Sequence, residues 1–127
     1  MARSTTYRQR WNRNVMIEQD VVVLVDFGKS GSTHGIHPAL VMSRQRKTDG
    51  NTRWMVIPLY RRASYGTELS SVSVSQKDCL QLHHDMFAQP MLIQSVTTKQ
   101  VVRRIGKVLN GSVHKEVERL LWEEVSA

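Results

Sequence analysis

The stretch VVVLVDFGKSGSTHGIHPALVMS, residues 21–43, decides the fold. It opens with a β-branched run over 21–27, which is short enough for a buried strand and is bounded by Gly28. A polar loop with three glycines follows, and residues 38–43 then form a second apolar strand, at whose start Pro38 is tolerated. The stretch therefore predicts two strands of a β-sheet joined by a flexible loop with polar side chains.

The rest of the chain continues this pattern. Residues 48–51 form an Asp-Gly turn and residues 54–60 a third strand, whose Pro58 is expected at an edge or a bulge because proline cannot donate to a ladder. Two further strands are predicted over 69–75 and 86–95, the second interrupted by a proline, with a helical or coiled connection over 76–85.

Two helices are predicted near the C-terminus. Thr97 or Thr98 can cap a short helix that runs through Ile105 and ends at Gly106. Ser112 can cap a final helix, whose apolar residues follow a 3.6-residue period: Val113, Val117, Leu120, Leu121 and Val125. The predicted fold class is mainly β, a twisted sheet or open barrel with short helices and a C-terminal α-helix.

Composition restricts the classes of protein. The 127 residues allow one domain with one core, and 40% hydrophobic residues can fill it. The formal net charge is +7, which favours phosphate backbones or acidic proteins as partners. No apolar run approaches the roughly 20 residues needed to span a bilayer, so no membrane partner is expected. A single cysteine, Cys79, fits a reducing cytoplasm.

Several side chains are candidates for chemistry. His37, at the start of the second strand, can act as an acid or a base near neutral pH, and Tyr60, at the end of the third, can donate a hydrogen bond to a phosphate. The loop residues Ser32, Thr33 and His34 could close over a phosphate. Arg61 and Arg62 directly follow the third strand, and Arg44 belongs to a basic stretch before the turn.

A metal site is the weaker interpretation of the remaining ligand-type residues. Cys79, His83, His84 and Asp85 lie close together in sequence. Structural zinc sites normally pair two such clusters, and the chain has no second one. We therefore expect neither a metal nor another cofactor.

The order of several motifs resembles the MazF/PemK family of toxins. The motifs are Val22–Phe27, Gly31-Ser32, Pro38–Ser43, Val56-Ile57-Pro58-Leu59, Gln94 with Thr97, and Arg103–Val108. The resemblance covers roughly residues 17–125, so we expect a single domain over 17–127 and a basic arm over 1–16 that lies outside it. Such a member is expected to have the SH3-like barrel shared by the PemK and CcdB toxins, and to form a homodimer.

The resemblance also implies an activity. Its members are typically cytoplasmic, metal-independent, sequence-specific endoribonucleases that cleave single-stranded RNA by attack of a ribose 2′-hydroxyl and are inhibited by an acidic antitoxin. The family's arginine before the strand-two proline falls on His37, and its hydroxyl residue at the end of strand three falls on Tyr60. Three further family positions fall on Met91, Ile93 and Val96.

These observations leave three hypotheses. The first is a ribonuclease with His37 and Tyr60 as catalytic residues; its RNA-binding residues would be Ser32, Thr33, His34, Arg44, Arg61, Arg62, Gln94 and Thr97. The second is a relative that has lost the chemistry and keeps a nucleic-acid- or protein-binding surface. The third is a gyrase-poison type of toxin that acts by binding. Such poisons end in a tryptophan-bearing tail, whereas Trp122 is predicted inside the last helix.

Overall fold

A computed structural model describes residues 17–31, 33–43, 45–48, 50–62 and 71–126 of the chain. It contains eight strands and one α-helix: β1 (Val21–Asp26), β2 (Ile36–Val41), β3 (Arg46–Thr48), β4 (Asn51–Tyr60), β5 (Val72–Val74), β6 (Met86–Ala88), β7 (Gln94–Thr97), β8 (Val101–Lys107) and α1 (Gly111–Ser126). Two 3₁₀ turns lie at Pro90–Leu92 and Thr98–Gln100. The expected basic arm over 1–16 lies outside the described residues.

The longest strand, β4, organises the sheet. The strand order is β5-β6-β4-β2-β1-β8, and both β3 and β7 also pair with β4. Along one side of β4, β7 pairs with residues 53–56 and β6 with residues 59–60. Pro58 lies between these two partners, where its missing N–H interrupts no ladder. The strand is therefore central rather than at an edge, and on this side its pairing is interrupted at Ile57 and Pro58, between β7 and β6.

The curled sheet buries a core on each face. Successive residues of a strand point to opposite faces, and accordingly Val22 belongs to one buried cluster and Val21 and Val23 to the other. The first cluster is covered by β5, β6 and α1, while the second is enclosed by β1, β2, β4 and β7. The fold is thus mainly β, a half-barrel closed by a C-terminal helix, as the sequence predicts.

The last helix packs through the predicted apolar stripe. Val113, Val117 and Leu120 are buried against the first cluster and Leu121 is half-buried; the side chain of Val125 lies outside the described residues. The prediction that Ser112 caps the start of this helix is wrong. The side chain in that role belongs to Asn110, whose Oδ1 accepts a hydrogen bond from the Ser112 N–H at 3.0 Å. Trp122 lies within α1, as predicted, and is 72% exposed. No helix in the described ranges is long and apolar enough to cross a membrane.

The predicted helix over 97–105 is wrong. The Thr97 and Gln100 side chains do form a capping box, but the 3₁₀ turn that follows ends at Gln100. Residues 101–107 then form β8, which pairs with β1 through two register shifts. β-Branched residues such as Val101 and Ile105 favour this pairing over a helix.

Other predicted elements differ in their bounds. The predicted 86–95 strand is divided into β6, the 3₁₀ turn at Pro90 and β7. The predicted 69–75 strand is described only as β5, since residues 63–70 lie outside the described ranges. The hairpin turn is confirmed, because Thr48 pairs with Asn51 across the turn, and Gly50 has a φ of 78°. Residues 76–85 contain turns and bends rather than a helix.

Candidate functional site

The loop between β1 and β2 is closed at its base by backbone hydrogen bonds. The Phe27 N–H donates to the Gly35 carbonyl at 2.8 Å, and the Gly35 N–H donates to the Gly28 carbonyl at 2.7 Å. Gly28 and Gly35 have φ values of 86° and 79°, which glycine adopts without a steric penalty. This closure directs Thr33 and His34 back toward the ends of β2 and β4.

Four of the predicted site residues meet at this point. The Thr33 hydroxyl and the Tyr60 hydroxyl are hydrogen-bonded at 2.8 Å, and both residues are buried. The ring centroids of His37 and Tyr60 are 5.4 Å apart, and the His37 ring also contacts Phe27 at 6.3 Å. The His34 carbonyl lies 2.8 Å from the His37 Nε2.

The last contact defines the chemistry open to His37. A carbonyl oxygen only accepts, so the Nε2 atom carries the hydrogen and donates it to His34. The Nδ1 atom of the neutral ring then holds the lone pair that can accept a proton. The imidazole is thus held in one orientation with one atom available for proton transfer.

Of these residues, His37 and Tyr60 line a groove of about 850 Å³. Its apolar lining is contributed by Pro38, Leu59, Leu82, Met86 and Ile105. Its polar lining is contributed by His37, Tyr60, Arg61, Arg62, Gln81, His83, His84 and Arg103. We refer to this feature as the cationic groove. No described lining residue is acidic, and its arginines form no ion pair with any described residue.

Not all predicted site residues reach the groove. Gln94 pairs with Val56 in the middle of β4 and Thr97 with Arg53 near its start, and neither residue lines the groove. The Thr97 hydroxyl is instead directed to the Gln100 side chain of the capping box, at 3.4 Å. Ser32 and Arg44 lie outside the described residues.

Two of the altered family positions are not available for catalysis in this chain. Val96 is fully buried in the second cluster and Ile93 packs against the first. Met91 is 41% exposed on a 3₁₀ turn and does not line the groove.

Sequence reasoning missed Arg103, His83 and His84. Arg103 was assigned to a helix. In the observed strand Arg103 and Arg104 point to opposite faces, and only Arg103 lines the groove. The residues at 83 and 84 were considered only as zinc ligands.

The structure offers no support for a metal site in the part of the chain that it describes. No group of three or more histidine, cysteine, aspartate or glutamate side chains there could hold a metal ion. Cys79 is completely buried, and burial raises the pKa of its thiol, so that it behaves as a core residue.

The fold and the groove together define a small half-barrel protein with a cleft that carries three arginines and no acidic side chain among its described lining residues. Residues 18–123 match the family model described as PemK-like, MazF-like toxin of type II toxin-antitoxin system. The chain belongs to this toxin family, which confirms the resemblance seen in its motifs.

A solved structure supports the fold. The Mycobacterium tuberculosis toxin MazF-mt6 superimposes with a TM-score of 0.53 at 18% sequence identity, over 81% of this chain and 89% of that chain. At this identity the similarity shows the fold alone. Among curated proteins, none matches the sequence significantly.

Proposed function

We propose that this toxin is a sequence-specific endoribonuclease that cleaves single-stranded RNA in the cationic groove. The observation that carries the proposal is the contact between the His37 and Tyr60 rings at the end of a groove bearing Arg61, Arg62 and Arg103. A proton acceptor, a hydroxyl donor and uncompensated positive charge are the groups that phosphodiester transfer requires.

The groove residues have distinct proposed roles. The His37 Nδ1 takes the proton of a ribose 2′-hydroxyl as its oxygen attacks the adjacent phosphorus. The arginines stabilise the negative charge that accumulates on the phosphorane, and the Tyr60 hydroxyl donates a hydrogen bond to it. The bond from phosphorus to the 5′ oxygen breaks and that oxygen takes a proton from water, leaving a 2′,3′-cyclic phosphate and a 5′-hydroxyl.

Three further features belong to the proposal. An acidic antitoxin would be attracted by the same unpaired arginines. The active form would be a homodimer, and its location would be the cytoplasm. The family assignment supports an antitoxin partner, and the arginines of the groove, with no acidic residue in its described lining, support a negative charge on that partner.

The test replaces His37 in two ways. His37→Ala should lower the cleavage rate by about two to four orders of magnitude, the usual contribution of a positioned proton-transfer group. His37→Arg restores the family residue, but its guanidinium stays protonated and cannot take the 2′-hydroxyl proton, so this variant should also cleave more slowly than the wild type if His37 is the base. Lys77→Ala, which changes an exposed cation outside the groove, is the control. Cleavage should persist in EDTA, and mass spectrometry should identify the cyclic phosphate.

The results separate the hypotheses. Equal cleavage by the wild type and His37→Ala would exclude His37 and direct attention to His34 and Arg61. An inactive wild type together with an active His37→Arg variant would show that the natural site has lost catalysis and that the family arginine restores it. If neither cleaves any RNA, the enzyme proposal fails.

A second candidate is a binding protein without catalysis. One observation favours it: the Tyr60 hydroxyl is buried and bonded to Thr33, so it already has a structural role. This candidate predicts RNA or protein binding that is unchanged in both His37 variants.

A further inference from the structure

A second group of cations lies on the β3–β4 hairpin and the adjoining β7. Arg46 is directly opposite Arg53, and Arg53 is directly opposite Thr97. Directly opposite residues of paired strands point to the same face. Their side chains therefore form one row across three strands. Lys47 and Lys99 are exposed on the same part of the fold: Lys47 follows Arg46 on β3 and points to the other face, and Lys99 lies on the 3₁₀ turn after β7. We call these five residues the hairpin patch.

The charges of this patch have no internal partner in the described ranges. Arg46, Lys47, Arg53 and Lys99 form no ion pair there. Like charges that face each other across paired strands destabilise a sheet. An anionic ligand would remove this repulsion, and the arrangement therefore points to a binding surface.

The patch is separate from the cationic groove. Arg53 and Tyr60 are seven residues apart on β4, which corresponds to about 23 Å at roughly 3.3 Å per residue. A stacked single strand advances about 3.4 Å per nucleotide, so about seven stacked nucleotides would join the two surfaces, and fewer if the strand is extended.

The composition of the patch favours phosphate over protein as its ligand. Protein partners usually bind through buried aromatic or aliphatic anchors. Among the residues that the structure describes, the exposed large hydrophobic ones are Ile36, Leu80, Met91, Leu109 and Trp122, and none of them lies on β3, β4 or β7. Contacts to a nucleic-acid backbone need only cations and small polar groups.

We propose that the hairpin patch binds backbone phosphates of the same single-stranded RNA several nucleotides away from the bond that the groove engages. This inference rests on the proposed function, because it assumes RNA in the groove. It assigns Arg46 and Arg53 to affinity for long substrates and gives them no part in the chemistry.

The test uses the full chain and the double variant Arg46→Gln/Arg53→Gln. The probes are a trinucleotide and an RNA of roughly 15 nucleotides, the upper range of single-strand site sizes. Both are methylated at every 2′-oxygen so that they cannot be cleaved. Lys77→Gln/Lys115→Gln removes two exposed cations elsewhere and is the charge-matched control. Arg61→Gln/Arg62→Gln reports on the groove.

The hairpin variant should bind the long RNA about tenfold more weakly and the trinucleotide as the wild type does. Its slope of log affinity against log salt should fall by about 0.7 for each lost phosphate contact. Its melting temperature should equal or slightly exceed that of the wild type, since the like-charge pair is gone.

Three results would overturn the inference. If only the groove variant binds the long RNA more weakly than the wild type, the protein still binds RNA in the groove, and the hairpin patch takes no part in that binding. If no variant and no wild type binds RNA, the proposed function fails and the inference with it. If polyglutamate binding is lost in the hairpin variant while RNA binding is unchanged, the surface serves an acidic protein.

Discussion

The buried hydroxyl pair of Thr33 and Tyr60 links the β1–β2 loop to the end of β4, directly beside His37. Both residues are at most 6% exposed. A buried hydroxyl that loses its partner costs about 1–3 kcal/mol, whereas removal of both partners together is nearly neutral. Substitutions at Thr33 and Tyr60 therefore measure how much this hydrogen bond contributes to the stability of the fold around the site.

Tyr60→Phe removes one hydroxyl and leaves the Thr33 oxygen in a buried position. We expect the free energy of unfolding in urea to fall by about 1–3 kcal/mol. The double variant Tyr60→Phe/Thr33→Val should recover part of that loss. Equal stabilities for the single and the double variant would mean that the two hydroxyls are not coupled.

The resemblance, together with side-chain chemistry, indicated His37 and Tyr60 as site residues at strand ends. The structure brings the rings of these two residues together, and their roles in catalysis stay a prediction. Gln94 and Thr97 were carried over from the resemblance, and β7 places them away from the groove. Their position depends on which part of β4 is paired with β7, and long-range pairing cannot be read from local sequence.

At the scale of the elements, apolar alternation predicted the strands but not every boundary. β8 was assigned to a helix because Thr97 or Thr98 could cap one, and in the structure Thr97 begins only a single 3₁₀ turn. The two register shifts against β1 interrupt the period of two that would have revealed the strand. The missed strand is the reason that Arg103 was missed.

Hydrogen bonds to the Asp78 carboxylate hold the segment that follows β5 in place. The carboxylate accepts hydrogen bonds from the Ser75 N–H at 2.9 Å and from the Asn110 amide at 2.9 Å, just before α1. The Ser75 backbone bond, followed by the Asn110 bond, lowers the pKa of Asp78 below its ordinary value. Asp78 thus ties the wall of the groove to the start of the helix.

Because the native pKa of Asp78 is lowered, its contribution to stability is complete above the ordinary carboxyl pKa of about 3.9. It is lost as pH falls from there through the native pKa. Asp78→Ala should unfold more readily at pH 7, by about 1 kcal/mol. Urea unfolding at pH 7 and pH 3 should show a smaller loss on acidification for the variant. A parallel loss in both proteins would contradict this assignment.

At the scale of the whole molecule, the sheet ends in strands with one neighbour each. β5 pairs only with β6 and β8 only with β1 among the described strands. Exposed edges can be managed by pairing between subunits, and family members are expected to form dimers.

Light scattering at micromolar concentration should therefore report about twice the monomer mass. High salt should leave this mass unchanged if apolar surface holds the subunits together. A single monomer peak at all concentrations would contradict the homodimer and would require each chain to bind RNA alone.

The pairing of β4 with four other strands has a mechanical consequence. Backbone amides in a strand bonded along both sides exchange with solvent only when much of the fold opens, so we expect slow hydrogen exchange along β4. Arg53 lies near the start of β4, and Tyr60 is its last residue. The distance between the groove and the hairpin patch is thus fixed by a strand rather than by a loop. A polymer that binds both the groove and the hairpin patch must therefore span the length of β4 between Tyr60 and Arg53.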